Sequence, residues 1–368
     1  MEMNKRTPLY EAHVASGATM VPFGGWEMPV RYPTRILHEV GQVRNDVGIF
    51  DVSHMARLEF TGADSGRFLD TVLSVRASRL EHGQGRYHMI CNEDGGIIDD
   101  AIVYNLEADR YLLVVNAGNA DVDKEWLSLQ KGRFIEREGG DVDYVDRTDE
   151  IAMIAVQGPN AVAMLGEMTN GETDAIGRFH AGEATLDGER ILAARTGYTG
   201  EDGFEIMFDS SHAPTIWAML IEAGATRCGL GARDALRLEA GLMLHGVDMT
   251  VENNPYEAGL RWTVRPNRSE YLMGEVLRKI RDAGTSQKIA GFEMRSRGIA
   301  RHGHAISIDG EEVGVVTSGS HSPTLGSAIA MGYIDIEHAE LGTGVQIDVR
   351  GKTVEAEVVP MPFYPHSY

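Results

Sequence analysis

The sequence predicts an α+β chain that ends in an all-β region. Three observations predict it. Helix-periodic and strand-like segments alternate up to about residue 284. Beyond that point short apolar strands follow one another with glycine turns and no helical period. Glycine makes up 43 of 368 residues, well above the usual ~7%, and most of it falls between apolar runs, where it marks turns.

The elements follow in order. Val-, Ile-, Tyr- and Phe-rich strand patterns fall on residues 56–60, 97–104, 110–116, 151–157, 190–195 and 204–208. The terminal region adds 288–294, 305–308, 312–317, 328–333, 344–349 and 353–359. A helix over 35–46 is predicted by Ile36, Val40 and Val43 on one face. A second, over 160–168, follows a Gly-Pro start. A third, over 212–223, carries Ile216, Trp217, Leu220 and Ile221 and stops at Gly224. The spacing of Leu236, Ala240, Met243 and Leu244 predicts a helix over 233–244. Ser269 reads as the cap of another, which runs to Ala283 and ends at Gly284.

Hydrophobic residues are 43% and charged residues 24% of the chain, a balance that excludes gross disorder. The net charge is −21, which disfavours a nucleic-acid backbone as partner. One stretch runs against it: between Arg265 and Arg301 nine basic side chains face four acidic ones, a local +5. It reads as a solvated face or as a docking patch for an anionic partner. No apolar run reaches membrane-spanning length, and the amino terminus shows neither a secretory core nor a basic, acid-poor leader. Cys91 and Cys228 lie 137 residues apart and form no CxxC pattern. A reducing cytoplasm is the expected location.

Dinucleotide chemistry is not expected. GLGARD at 229–234 lacks the third glycine of a dinucleotide loop and sits in no βαβ unit. P-loop, HExxH and GxSxG patterns are missing. His302 and His304 lack further ligands nearby in the chain, so no metal is expected.

Three constellations carry chemistry. In NEDGGIIDD at 92–100 a turn leads into a strand, and period two puts Asp100 on the face of Ile98, Ile102 and Tyr104. A carboxyl there is either raised in pKa and suited to proton handling, or a turn carboxylate bonded to backbone amides. In RTGYTGEDGFEIMF at 195–208 glycines let a ligand approach. Tyr198 offers a stacking face, and Glu205 offers an acceptor for paired N–H donors; an ornate hairpin is the plainer reading. In CGLGARDALRLEAGLMLHG at 228–246, Arg233 opens a helix, where a cation is disfavoured. A bound carboxylate or a pair with Asp234 would compensate, and Arg237 and Glu239 read equally as ordinary ion pairs.

With TPLYEAHVASGA at 7–18, PFGGWEMPV at 22–30, GIFDVSHM at 48–55, AVQGPNA at 155–161 and TSGSHSPTLG at 317–326, these segments resemble, in order, the aminomethyltransferase (T-protein) family of the glycine cleavage system. The resemblance covers nearly the whole chain, from Thr7 to about Tyr364. It implies a three-domain cloverleaf around a central tetrahydrofolate site, with a C-terminal β-barrel-like domain. The domains expected are residues 1–55 with 141–228, residues 56–140 with 229–284, and residues 285–368. It implies transfer of an aminomethyl group from the lipoyl arm of the H-protein to tetrahydrofolate, with release of ammonia. Carried over residue by residue, Asp100 matches the catalytic carboxylate near folate N10. Glu205 matches the residue that holds the pterin's aminopyrimidine edge, and Tyr198, Arg233, Met55, Tyr87, Tyr104 and Asn116 match positions around the folate. H-protein docking is expected at Arg278, Lys279 and Arg281.

The chain departs from the family pattern at three places: His245 stands where Tyr is usual, SVRAS fills 74–78, and the PFYPHSY ending lacks a basic tail. A tetrahydrofolate-dependent demethylase of the same family, acting on a small sulfonium or methylamine donor, is the alternative reading. A folate-binding relative without transferase activity would carry a terminal Cys motif, which this chain lacks.

Overall fold

In the computed structural model, which describes residues 4–365 and 367, hydrogen bonding sorts the strands into four systems. The first three residues, with His366 and Tyr368 of the PFYPHSY ending, lie outside it. A small sheet joins Lys5–Arg6, Trp26–Arg31 and Thr19–Phe23. One large sheet has the order Ala181–Leu186, Glu189–Ala194, Gly203–Asp209, Ile151–Gln157, Gly48–Asp51, Thr226–Arg227. A second runs Gly85–Cys91, Ile97–Glu107, Arg110–Val115, Ala56–Thr61, Asp143–Asp146. Strands from Gln287–Met294 to Thr353–Val359 close into a barrel. The α+β reading with a terminal barrel holds.

The two large sheets are built from interleaved chain segments, and each covers its outer face with helices. Ala161–Met168 and Ala213–Glu222 bury Leu165, Ile216, Trp217 and Leu220 against Ile154, Phe204 and Ile206. Ser65–Val72 and Ala120–Glu138 bury Phe68, Leu127 and Phe134 against the other sheet. The inner faces meet in a shared core. Phe50, Met153, Ala155 and Met207 come from one sheet and Tyr104, Leu112 and Val114 from the other, sealed by Val40, Val43 and Leu236 of the Ile36–Asn45 and Leu230–Glu239 helices. Of the candidate site residues, Tyr104 belongs to this core and Met55 packs against it.

Several elements differ from the sequence reading. The helix expected over 233–244 is Leu230–Glu239. Gly241 ends it at φ +66°: its N–H donates to Leu238 O, and the Leu242 N–H donates to Arg237 O, a paired closure that needs a left-handed residue. The helix expected from Ser269 begins at Gly274, after Met273, so Ser269 is no cap.

The longest helix, Ala120–Glu138, was not expected at all. Its buried positions Asp123, Leu127, Gln130 and Phe134 make a regular helical stripe, but two of the four are polar. Its apolar Val122, Leu129 and Ile135 face solvent. Hydrophobic periodicity is blind to such a stripe. Asp143–Asp146 pairs with Ala56–Thr61, so that segment sits in the second sheet although the expected boundary at 140/141 assigns it to the first domain.

Candidate functional site

The site grows from the strand Ile97–Glu107. The turn before it is set by Asn92, whose Oδ1 accepts the Asp94 and Gly96 N–H groups. At Gly96 a Cβ would stand 1.9 Å from Val251 O, so only glycine fits. Pairing with the neighbouring strand then slips: Cys91 faces Ile97 and Ile90 faces Asp99, which leaves Ile98 as an unpaired bulge residue. The slip corrects the simple alternation. Ile98 packs with Ala101 and Val103 under the sheet, while Ile102 and Tyr104 belong to the inner seam. Asp99 and Asp100 are both drawn into polar contacts, Asp99 fully buried and Asp100 half-buried.

Asp100 is held from two sides. Tyr87 donates its hydroxyl to Asp100 Oδ2 at 2.9 Å, and Asn116 Nδ2 donates to Oδ1 at 2.9 Å. Burial pushes the carboxyl up to about 7, the neighbouring Asp99 charge adds to this, and the two donors pull it back. The carboxyl is therefore poised to exchange a proton near neutral pH. Side-chain donors from Tyr87 and Asn116 hold the carboxyl, with a backbone hydrogen bond from Asp100 itself beside them.

A second cluster faces the same seam. Arg233 stacks its guanidinium 4.8 Å from the Tyr198 ring centroid. Asp234 does not pair with it; Asp234 pairs with Arg237 at 2.8 Å. Among the described residues no carboxylate lies within ion-pair distance of Arg233, and its Nη1 is buried without a partner. Burial lowers its pKa, and the Glu205 charge opposes that. Thr196 donates to one oxygen of Glu205 at 2.7 Å and is itself 3.0 Å from the Tyr104 hydroxyl. No protein donor among the described residues occupies the other Glu205 oxygen. Tyr198 donates its hydroxyl to Met243 O, and the Asp100 charge acts on it, so the two clusters are electrostatic neighbours. Gly197 allows this packing, since a Cβ there would meet Gln157 Oε1 at 1.9 Å.

Met55 touches neither cluster through a polar bond. It packs on the seam core, and its carbonyl accepts from Arg57. Residues that the sequence reading did not single out complete the surroundings: Thr196, Asn119, Asp123 and Trp262. Asn119 bridges Asp99 and His245, and His245 Nε2 lies 2.9 Å from Ile97 O. The departure at His245 is thus built into the support of the site. The spacing Asn-x-x-Asn at 116–119 was the one available signal.

Tyr87 also stacks on Trp262, at 5.7 Å between centroids, and Trp262 is 57% exposed. Both line a cavity of about 1140 Å³ whose walls include Arg76, Arg79, Arg86, Arg261 and Arg265. An arginine-rich mouth therefore sits next to the Asp100 partner. Elsewhere, His302 and His304 bond to backbone groups of Thr317 and Arg301. Among the described residues no group of three or more metal-ligating side chains converges, and no helix is long and apolar enough to cross a membrane.

A family profile described as the GCVT N-terminal domain matches residues 9–268. The chain belongs to the glycine cleavage T-protein family. The profile of the glycine cleavage T-protein C-terminal barrel domain matches residues 287–365, the closed barrel described above. The aminomethyltransferase of Rubrobacter xylanophilus is 44% identical over 98% of this chain and 94% of its own length. That of Bacillus subtilis is 42% identical over 98% and 99%. The crystal structure of glycine cleavage system aminomethyltransferase T from Bartonella henselae shares 34% identity and a TM-score of 0.92, covering 99% of both chains. The family is one of aminomethyl-transferring enzymes, and the sulfonium or methylamine demethylase reading is not favoured by these likenesses.

Proposed function

We propose that this family member takes the aminomethyl group from the lipoyl arm of an H-protein and passes it to tetrahydrofolate, releasing ammonia. The observation that carries the reading is the half-buried Asp100, poised near neutrality between Asn116 and Tyr87, the second of which lines an arginine-walled cavity.

The residues fit a folate. Arg233 presents a buried, unpartnered guanidinium nitrogen, and Glu205 keeps an oxygen free of protein donors, as an anionic and N–H-rich bicyclic substrate requires. Glu205 accepts the paired N–H groups of the aminopyrimidine edge, with Thr196 and Tyr104 fixing its orientation. Tyr198 and Met55 supply apolar contact, and Arg233 supplies positive charge. Folate supplies the nucleophilic nitrogens. Ammonia departs as the carbon–nitrogen bond of the S–CH2–NH3+ group breaks and folate N5 bonds to the methylene carbon. The carbon–sulfur bond then breaks as N10 bonds to the same carbon, and the lipoyl sulfur leaves as a thiol that takes up one of the two protons the folate nitrogens release. Asp100 faces the positive charge that develops on the methylene carbon and takes the proton that N10 releases. Tyr87 and Asn116 hold the carboxylate in place, so its orientation costs nothing at the moment of reaction.

Reconstitution with lipoylated H-protein and tetrahydrofolate tests the reading. Ammonia and 5,10-methylenetetrahydrofolate are the expected products. Formation of 5-methyltetrahydrofolate from a small methyl donor, with no turnover of the H-protein, would overturn it.

Glu205→Gln keeps the size and the Thr196 contact but weakens one acceptor. Folate Kd should rise about ten- to a hundredfold, since a hydrogen bond to a charged group contributes about 1.5–3 kcal/mol. An unchanged Kd by calorimetric titration would remove Glu205 from the pterin site.

The docking patch is more locally paired than its sequence suggests. Lys279 pairs with Glu275 and Arg281 with Asp282, while Arg278 donates to Pro266 O at 2.6 Å. Arg281 still lines the arginine-walled cavity. Charge reversal at Arg278, Lys279 and Arg281 should raise the apparent KM for H-protein about tenfold and spare folate binding, as interfacial charges mainly steer encounter. A KM that stays put would make this stretch a solvated face.

A further inference from the structure

Behind Asp99 lies a third carboxyl. Asp123, on the buried stripe of the Ala120–Glu138 helix, is fully enclosed. Among the described residues no N–H or O–H donor reaches either of its oxygens. Its hydrogen-bonding neighbour is the Asp99 carboxyl, which is richly supplied: Asn116 donates from its backbone and from Nδ2, each at 2.9 Å, and Asn119 donates from Nδ2. Two enclosed carboxyls in contact cannot both be charged unless donors compensate both, and here all the donors go to one of them.

We propose that Asp123 is a positioning residue that acts as a neutral acid, donating its own hydroxyl to Asp99 and so keeping Asp99 charged beside Asp100. The electrostatics agree. Burial and the Asp99 charge push the Asp123 carboxyl up to about 10. Burial raises the Asp99 carboxyl, and the Asn116 donors and the contact with Asp123 work against that rise. Asp99 in turn is the charge that lifts Asp100, after burial itself. The titratable groups facing the trio from other elements are Tyr87, Tyr198 and His245. His245 meets Asn119 Nδ2 through Nδ1 and Ile97 O through Nε2. Among the described residues no Lys or Arg lies within ion-pair distance of the trio. The order of charge is therefore set inside it: Asp123 neutral, Asp99 anionic, Asp100 poised.

The proposal rests on Asp100 as the reacting carboxylate, but part of its test needs no substrate. Asp123→Asn keeps a donor to Asp99, so the acid limb of the kcat–pH profile should stay where it is in the unmodified enzyme. Asp123→Leu removes the donor and lets Asp99 take up a proton. The push on Asp100 is lost, and the acid limb should move about one pH unit lower. Infrared spectroscopy of the substrate-free protein at pH 8 should show a protonated-carboxyl C=O stretch that disappears in Asp123→Asn. A spectrum lacking that band, or retaining it in the variant, would overturn the proposal even if the leucine variant does not fold. So would a limb that is the same in Asp123→Leu as in the unmodified enzyme. A band that behaves as expected in an enzyme with no acid limb at all would instead count against Asp100.

Discussion

Asp100→Asn should lower kcat by about 10²–10⁴-fold, the range that a positioned proton-transfer group supplies, and should change folate Kd much less. Asparagine keeps the volume and can still meet Tyr87 and Asn116, which hold Asp100 at 2.9 Å on either side. What it cannot do is bear negative charge or accept a proton. The sign of the pH dependence follows. The Asp100 carboxyl sits at about 7 because burial and Asp99 favour its neutral form, and the charged form is the working one. Turnover in the unmodified enzyme should therefore rise with pH through about 7 and level off above it, falling about tenfold per unit well below. In the variant that limb should vanish. Single-turnover kinetics across pH 5–9 check both statements, and near-normal turnover in Asp100→Asn would end the assigned role.

Arg57→Met should cost about 3–5 kcal/mol of stability, because it strands several buried carbonyls at once. Arg57 is fully buried on the strand Ala56–Thr61. Its guanidinium donates to Ser53 O at 2.9 Å, to Met55 O, to Thr148 O at 2.6 Å and to Ile151 O at 2.5 Å. Two of these belong to the DVSHM turn and two to the approach of the Ile151–Gln157 strand, so one side chain ties the two large sheets together at the seam. Burial lowers its pKa only to about 10, so the cation persists at neutral pH. Methionine fills similar space and offers no donor. The midpoint of urea unfolding should drop with little change in slope. The Met55 turn is released with it, so folate affinity should weaken alongside stability. A midpoint that does not move would mean that water replaces the clamp without loss.

The terminal barrel and the chemistry-bearing turns were legible because they are local. Strands 305–308 and 353–359 carry their own period and turn residues, and both appear with the expected bounds. Asp100 was legible because a carboxyl among apolar strand residues is anomalous wherever it occurs. The strand Gly85–Cys91, which brings Tyr87, was missed because Arg86 and His88 break its apolar pattern. The helix that brings Asp123 was missed because its buried stripe is half polar.

The order of the motifs and the terminal barrel are written in the chain itself, and so are the reasons to single out Asp100, Tyr198, Glu205 and Arg233 as candidates. Each announces itself through chain neighbours: glycines that admit a ligand, a helix start that disfavours a cation, a strand that should not hold a charge. Their partners come from packing between segments distant in the chain. It gave Asp234 to Arg237 and left Arg233 without a carboxylate. It slipped the register at Ile98 so that Asp99 joined the network. It set Asn119 and His245, far apart in the chain, at 2.7 Å. The physical reason is that buried polar groups must find donors or protons wherever packing puts them. That choice depends on distances between segments, which no local pattern encodes.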